Sequence, residues 1–485
     1  MIKINNFTKV YIVALVCALF VYGYEITNFT LSIDEEFFDN YYQTITLGRW
    51  GHALLRSYIL PEPFTPFFTI IFSVCLLALA ATLSATIAKL DVYKTSLIAA
   101  VYVSIPQYAY QLEFANQSDT VSIGMVLCTL SVMAFHRGNN KLFSVWALVS
   151  VCLYIYAIGI YQSLSILPIS VMLSNIAFMS MRGEVNLNSS LKILSRYAVL
   201  SIISVAVYSF ISKEFQFFAE VQPTSYFDQL IRWGNADFIS TLVSLFSFIS
   251  RYFTGKSFFG LNLYGLITIF YFVYLYEILR RRKVTLSKII YPLIIIITPF
   301  IMNIAFGGSM PPRTMVSLGV CLSMIFGLSI YYIDNKLIPT VIVIIMVSIG
   351  SSSASKLFYS DKKTYEIDIR TAESIINTIY RKYPNFDPVK RPVYFYGGYF
   401  KVTPWKVKNS DVFGGSHFSW DGGNNKRIMS FMKMEGIAEL RGIKSTDVEK
   451  ARDAAQKLSL WPSPDSIVDN GDYIIVRLGK LPGKN

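Results

Sequence analysis

The sequence predicts an all-α polytopic membrane protein of about eleven transmembrane helices, followed by a C-terminal extracytoplasmic α+β domain. Of its 485 residues, 53% are hydrophobic and only 15% are charged, whereas soluble domains carry roughly 25% charged residues. The mean hydropathy is +0.45, and apolar runs recur through most of the chain before its polar C-terminal part. This composition excludes a soluble enzyme, a disordered chain and a disulfide scaffold.

A transmembrane helix needs about 20 apolar residues, with about 17 to 25 allowed, and this length sets the bounds of the predicted spans. The run 142–180 is too long for one helix and is divided at 159–163, where glycine and polar residues indicate a turn. The segment 225–253 has too short an apolar run to span, so we interpret it as an interfacial helix on the outer leaflet. The predicted spans lie near 9–27, 64–88, 95–112, 119–135, 142–158, 162–180, 196–212, 259–279, 288–306, 314–333 and 337–355.

Loop charges orient these spans. Among the loops that join the predicted spans, the set richer in lysine and arginine, including the run 280–283, falls on one side if the N-terminus is cytoplasmic. The positive-inside rule therefore places the N-terminus in the cytoplasm and the C-terminus outside. The net charge of +13 has the same explanation, so we expect the lipid bilayer, and no nucleic acid, as a partner.

Two domains are expected. Residues 1–355 form a transmembrane catalytic domain with outer-face interfacial helices at 33–60 and 214–256. Residues 356–485 are polar and are predicted to form an extracytoplasmic α+β domain. Its expected helices lie at 365–382 and 445–460, and its strand-like runs at 392–396 and 473–478.

Cysteine and histidine usage gives no sign of a metal or redox site. The five cysteines lie inside apolar runs without CxxC spacing, and no histidine–cysteine cluster has metal-ligand spacing. The sequence contains no P-loop, GxSxG or HExxH motif, which argues against an ATPase, a serine hydrolase and a zincin. We expect no metal and no cofactor.

The best candidate site is the acidic loop after the first span, which contains Asp34, Glu35, Glu36 and Asp39. If 34–47 is helical, Glu35 and Asp39 share one face. A cluster of like charges raises some pKa values and can provide a general base. The same pattern is also typical of a solvated helix start, which the helix dipole favours. Asp34 is preferred as the base and Glu35 is second, because Asp34 lies nearest the first span.

Two residues at the end of this segment extend the candidate site. Arg49 follows Gly48 and could pair with one of the carboxylates. Trp50 comes next, and a tryptophan outside the membrane can stack on a sugar, although it also belongs at membrane interfaces.

A second candidate segment joins the third and fourth spans and contains Glu113, Gln117 and Asp119. Ionisable residues at membrane depth are costly and indicate function by default. We favour this interpretation for Glu113. Asp119 instead suits an N-cap of the fourth span.

Two more outer turns carry polar side chains. Arg313 follows a Gly/Pro-rich loop, and its fork of donors suits a phosphate; a snorkelling surface arginine is the alternative. Tyr161 and Gln162 lie between the fifth and sixth spans and suit sugar hydroxyls, although the sequence alone favours an aromatic-belt residue in a satisfied turn.

Taken together, these motifs resemble the GtrII family of serotype-converting O-antigen glucosyltransferases. The resemblance is carried by their order along nearly the whole chain: the acidic pair and Gly-Arg-Trp after the first span, Phe-x-Asn-Gln-Ser-Asp at 114–119, Tyr-Gln-Ser at 161–163, Pro-Pro-Arg at 311–313, and the tail from Trp461-Pro462 to Leu478.

The resemblance implies a GT-C-like layout and transfer of glucose from undecaprenyl-phosphate glucose to a sugar of the lipopolysaccharide O-antigen, in the periplasm at the bacterial inner membrane. It also implies an O-antigen or lipid-linked acceptor, with a flippase and a donor-synthesising glucosyltransferase in the same pathway. Asp34 or Glu35 would be the catalytic base, and Arg313 and Arg49 would bind the donor phosphate. The expected substrate-binding residues are Glu36, Trp50, Glu113, Gln117, Asp119, Tyr161 and Gln162.

Two other functions are compatible with a polytopic chain. A flippase or transporter for lipid-linked glycans would be expected to show repeats, broken helices and charges at mid-membrane, which this sequence does not. An O-antigen polymerase usually places a large loop between late spans instead of a C-terminal domain.

Overall fold

The computed structural model describes residues 5–37, 40–255 and 261–480, without the side chains at 226, 227, 261 and 262. Asp39, one of the predicted acidic cluster, lies outside these ranges. The α-helices are α1 (Asn6–Thr27), α2 (Tyr41–Thr46), α3 (Trp50–Tyr58), α4 (Pro66–Thr86), α5 (Val92–Ser104), α6 (Ala109–Leu112), α7 (Ala115–Arg137), α8 (Val145–Ile160), α9 (Leu167–Arg182), α10 (Leu187–Phe218), α11 (Tyr226–Leu230), α12 (Phe238–Thr254), α13 (Leu266–Arg280), α14 (Leu286–Ile297), α15 (Ile301–Phe306), α16 (Leu318–Ser329), α17 (Leu337–Lys382), α18 (Asn425–Met434) and α19 (Val448–Gln456).

The described residues contain eight helical segments that are long and apolar enough to cross a membrane. The protein is therefore a mostly α-helical, polytopic membrane protein, as the composition predicts. These segments are Asn6–Thr27, Pro66–Thr86, Ala115–Arg137, Gln162–Arg182, Leu187–Phe218, Leu263–Arg280, Leu286–Phe306 and Leu337–Lys382.

Three shorter apolar helices, α5, α8 and α16, coincide with the other predicted spans, so the total of eleven stays a prediction. Helix α5 ends at Ser104, well before the end of the predicted span 95–112. Pro106 follows and begins a 3-10 turn, because a proline lacks the N–H that would continue the helix. A fourth apolar helix, α12, lies within the predicted interfacial segment.

The chain divides into two compact units, Met1–Thr27 with Asn40–Ser355, and Asn28–Asp39 with Lys356–Asn485. We call them the membrane unit and the C-terminal unit. The division differs from the predicted boundary at one place, because the acidic loop belongs to the C-terminal unit. Ion pairs from Arg427 to Asp34 and Glu36 explain this difference.

Small polar side chains join helices inside the membrane unit. Ser73 of α4 hydrogen-bonds Ser118 of α7 at 3.0 Å, and Ser84 hydrogen-bonds Thr129 at 3.2 Å. Side chains of this kind bridge helices in lipid and permit close approach. The two pairs fix α4 and α7 along most of their shared length.

The predicted interfacial helix at 33–60 is not one helix. Residues 33–35 form a turn, and α2 and α3 are separated by Gly48, whose φ is +74°. Glycine adopts this left-handed conformation without a steric penalty. The helix therefore breaks at Gly48, between α2 and α3.

The C-terminal unit contains a three-stranded sheet of β1 (Val393–Tyr396), β2 (Ile467–Asp469) and β3 (Ile474–Arg477). The strand order is β1-β3-β2, with β1 parallel and β2 antiparallel to β3. Helix α19 packs on the sheet through Ala451 and Ala455. The sequence predicted β1 and β3 at their observed places but missed β2.

Candidate functional site

Arg49 joins two of the other predicted site residues in the membrane unit. Its Nη1 atom donates a hydrogen bond to Oε1 of Gln117 at 3.2 Å. Its guanidinium carbon lies 4.6 Å from the ring centroid of Tyr161, a cation–π distance. The starts of α3 and α7 and the end of α8 thereby bring Arg49, Gln117 and Tyr161 together.

Gln162 holds the turn that presents Arg49. Its Nε2 atom donates to the carbonyl oxygen of Leu47 and to Oη of Tyr208 at 2.9 Å. Tyr208 in turn donates to the carbonyl oxygen of Gly48 at 3.1 Å. These bonds give Gln162 a positioning role, whereas direct contact with a sugar stays a prediction.

Asp119 forms a buried ion pair with Arg56, with 2.7 Å between Oδ1 and Nη2. The side chains are 6% and 0% exposed for arginine and aspartate. The prediction that Asp119 caps the fourth span is wrong, because α7 already begins at Ala115. The backbone N–H groups of Gln117 and Ser118 already donate to the carbonyl oxygen of Phe114, so the helix begins before Asp119.

Sequence analysis missed Arg56 and His52, which lie beside Asp119. Both are on α3, and with Arg49 they have the spacing i, i+3, i+7 of one helix face. This spacing could have identified them as site residues from the sequence. The Nδ1 atom of His52 lies 2.8 Å from Oγ1 of Thr120. Burial lowers the pKa of His52 to about 3, and the charges of Arg56 and Arg49 act in the same direction. His52 is therefore neutral at physiological pH.

Trp50 packs inside the protein and is only 6% exposed. Its ring stacks on Phe215 with centroids 5.6 Å apart and lies against Gly159, where an added Cβ would be 2.6 Å from the ring. Gly51 also approaches α8, since its added Cβ would be 2.9 Å from the carbonyl carbon of Gly159. Trp50 thus has a packing role here, and its predicted sugar contact requires the ring to become exposed.

Arg313 and Glu113 lie at the same group of turns in the membrane unit. The guanidinium of Arg313 is 4.7 Å from the ring centroid of Phe114, the residue after Glu113. Glu113 is 2% exposed. Gln111 is equally buried, and its side-chain amide has no hydrogen-bond partner in the described part of the chain.

In the C-terminal unit, Arg427 organises the acidic loop. It forms an ion pair with the buried carboxylate of Glu36. Its Nη2 atom also lies 3.1 Å from Oδ1 of Asp34 and 2.9 Å from Oδ2 of Asp421. Three carboxylates therefore share one guanidinium, which was not predicted because Arg427 is far away in the sequence.

The three acids of the loop that the structure describes have different environments. The side chain of Asp34 is 49% exposed, whereas Glu35 and Glu36 are each 1% exposed. Glu35 accepts a hydrogen bond from the backbone N–H of Ser32 at 2.9 Å. Among these described acids, Asp34 is the one that solvent or a substrate can reach.

Glu36 also approaches His417, with 3.8 Å between Oε2 and Nε2. On its other side, His417 lies 3.4 Å from Oδ2 of Asp368 through Nδ1. Burial raises the pKa of Glu36, and the charges of His417 and Arg427 oppose that rise. The charge of Arg427 thus favours the ionised form of the buried Glu36 carboxylate.

Asp34 has a φ of +80°, which is unusual for a residue with a side chain. Its backbone N–H donates to Oε2 of Glu36 at 2.8 Å. Such a conformation is unfavourable by about 1–3 kcal/mol and persists only where surrounding contacts determine it. The bonds to Glu36 and Arg427 provide those contacts.

The apolar helices and the buried charges between them define a membrane protein with an internal polar site. The chain matches the model of the GtrII glucosyl transferase family over residues 23–330, well over half of its length. The chain belongs to this family, which confirms the predicted resemblance and makes the protein a membrane glycosyltransferase. The match includes Asp34, Arg49 and Arg313 and ends before Arg427. Comparison with curated proteins and with solved structures gave no match.

Proposed function

We propose that the protein transfers glucose from undecaprenyl-phosphate glucose to a sugar of the lipopolysaccharide O-antigen, on the periplasmic face of the bacterial inner membrane. The family match over residues 23–330 carries this proposal. A lipid-linked donor is consistent with a protein built from membrane helices, because such a donor is reached from the bilayer. A flippase and an enzyme that synthesises the donor would act earlier in the pathway.

Arg49 and Arg313 are proposed to bind the donor phosphate. Arginine suits this role because its planar fork donates two parallel hydrogen bonds to phosphate oxygens. Arg56 is a weaker candidate, since it is already bound to Asp119 and to the carbonyl oxygens of Asn116 and Pro61. Arg49 stacks on Tyr161 and Arg313 stacks on Phe114, and these contacts orient the plane of each guanidinium.

Asp34 is proposed as the general base. In this step the acceptor hydroxyl oxygen forms a bond to the anomeric carbon of glucose while the bond from that carbon to the phosphate oxygen breaks. The hydroxyl proton moves to the Asp34 carboxylate, and undecaprenyl phosphate leaves with the bonding electron pair. Direct displacement of this kind inverts the anomeric configuration.

Arg427 is proposed as a positioning residue for this base. It touches Asp34 and neutralises Glu36, so it fixes the direction of the Asp34 carboxylate. Glu35 and Glu36 are poorer bases, because burial and existing bonds keep their oxygens from an acceptor.

The test is a transfer assay in membranes that contain the protein and the acceptor lipopolysaccharide. Undecaprenyl-phosphate glucose labelled in the sugar should transfer label to the O-antigen, and Asp34→Asn membranes at equal protein level should not. Label from UDP-glucose, supplied to membranes without the lipid donor or its synthase, should stay out of the O-antigen. Transfer that needs only UDP-glucose would contradict the proposed donor.

A further inference from the structure

A cavity of about 460 Å³ lies in the membrane unit between the end of α4, the end of α7 and the start of α8. Its volume is within the range of ligand sites, roughly 300–1,000 Å³. Asp119 lies near the opposite end of α7, about 20 Å away along a helix that rises 1.5 Å per residue. The cavity is therefore distinct from the site proposed for glucosyl transfer.

The walls of the cavity are mainly apolar and open toward the outside of the helix bundle. Leu130, Met133, Val149 and Leu153 line it. Met133 is 36% exposed and Val149 is 37% exposed. On a membrane helix, exposed apolar side chains of this kind face lipid, so a hydrocarbon chain can enter from the bilayer.

The cavity also carries positive charge. Lys89 and Arg137 both line it and are exposed, and Arg137 lies over the Trp146 ring at 4.4 Å. Within the described residues neither cation has an ion-pair partner, whereas nearby Arg182 is bound to Glu184 at 2.6 Å. The Glu184 carboxylate acts on Lys89 as well as on Arg182, so these two cations and Arg137 outnumber it. A net positive charge beside an apolar wall is complementary to an amphiphile with an anionic headgroup.

We propose that this cavity binds one anionic phospholipid. The phosphate lies between Lys89 and Arg137, and an acyl chain follows the wall formed by Val149 and Leu153. Basic pockets between transmembrane helices bind anionic headgroups in this way. In the proposed topology the cavity is at the cytoplasmic end of the helices, so the lipid comes from the inner leaflet.

The test uses the full-length protein, purified in detergent. Its melting temperature is measured with added phosphatidylglycerol and with phosphatidylcholine of the same acyl chains. We expect phosphatidylglycerol to raise the melting temperature more. The Lys89→Gln/Arg137→Gln variant should lose this difference, and Lys141→Gln, which removes an exposed lysine of the same loop region, should retain it.

Two further measurements distinguish a phospholipid site from a plain anion site. Glycerol phosphate, which has the charge without the chains, should produce no shift; an equal shift would identify a plain anion site. Val149→Trp fills the apolar wall and should abolish the difference while the cations remain. Equal stabilisation of the wild type by both lipids would overturn the proposal whether or not the variants fold.

Discussion

Arg427 and Asp34 are joined by a hydrogen bond of 3.1 Å across a sequence separation of 393 residues. The bond ties the loop after α1 to the C-terminal unit and explains why residues 28–39 belong to that unit. Arg427 lies beyond the part of the chain that matches the family. The C-terminal unit is therefore expected to affect activity through the acidic loop.

Replacing Asp34 by Asn should reduce glucose transfer by about 10²- to 10⁴-fold, the usual contribution of a general base. Asparagine tolerates a positive φ, so protein level and melting temperature should change little. Asp421→Asn is a matched control, because Asp421 also binds Arg427, is 51% exposed and has a positive φ. The measurement is the initial rate of glucose transfer at equal membrane protein level. Equal losses of activity in both variants would show that Asp34 is not the general base.

Replacing Arg427 by Met should lower the free energy of unfolding by about 3–5 kcal/mol, because the buried charge of Glu36 loses its partner. The double variant Arg427→Met/Glu36→Gln should recover most of this loss, since the buried side chain at 36 is then neutral and the two other carboxylates that Arg427 binds, Asp34 and Asp421, are half exposed to water. Thermal unfolding of both purified variants gives the comparison. If the double variant is as unstable as the single one, the Arg427 side chain acts through packing and not through Glu36.

Acid should destabilise the membrane unit through His52. A histidine in the unfolded chain has a pKa of about 6.5, whereas His52 in the folded protein has a pKa of about 3. Below about pH 6.5 the unfolded chain binds a proton that the folded chain does not, so stability falls as the pH drops, by about 3 kcal/mol between pH 7 and pH 4. The His52→Gln variant should lose this part of the pH dependence in thermal unfolding curves, and unchanged acid sensitivity would contradict the prediction.

Replacing Arg313 by Lys should raise the KM for the lipid donor by about 10- to 100-fold, because the lysine keeps the charge but loses the bidentate fork. Arg251→Lys, at an exposed arginine near the end of α12, is the control and should leave the KM unchanged. The donor concentration is varied in the transfer assay at saturating acceptor. An unchanged KM in Arg313→Lys and full activity in Arg313→Ala would exclude a phosphate-binding role.

The proposed topology places the N-terminus inside and the C-terminus outside. A periplasmic phosphatase fused after residue 360 should be active, and a reporter that works only in the cytoplasm should be active when fused at residue 283. The reverse pattern at either position would rule out this orientation. Fusions after residues 89 and 141 give two more cytoplasmic positions for the same reporter.

The sequence was sufficient where structure depends on local composition. Apolar runs predicted α4 and α7, because a transmembrane helix satisfies its own backbone and needs only apolar side chains. The sequence was insufficient where the structure depends on partners that are distant along the chain, as in the Arg427–Glu36 and Arg56–Asp119 pairs. The start of α7 was also missed, because Phe114 at its N-cap makes no side-chain cap. Arg56, by contrast, could have been found from its position on the same face of α3 as Arg49.

The close approach of α3 to α8 at Trp50, Gly51 and Gly159 has a consequence for how these positions vary in evolution. Because neither glycine has room for a Cβ beside its neighbour, an alanine at 159 is compatible only with a smaller ring or aliphatic side chain at 50. The three positions should therefore covary among homologues, with compensated pairs viable where the corresponding single changes are not. In a combinatorial library, this covariation would appear as strong positive epistasis between 50 and 159.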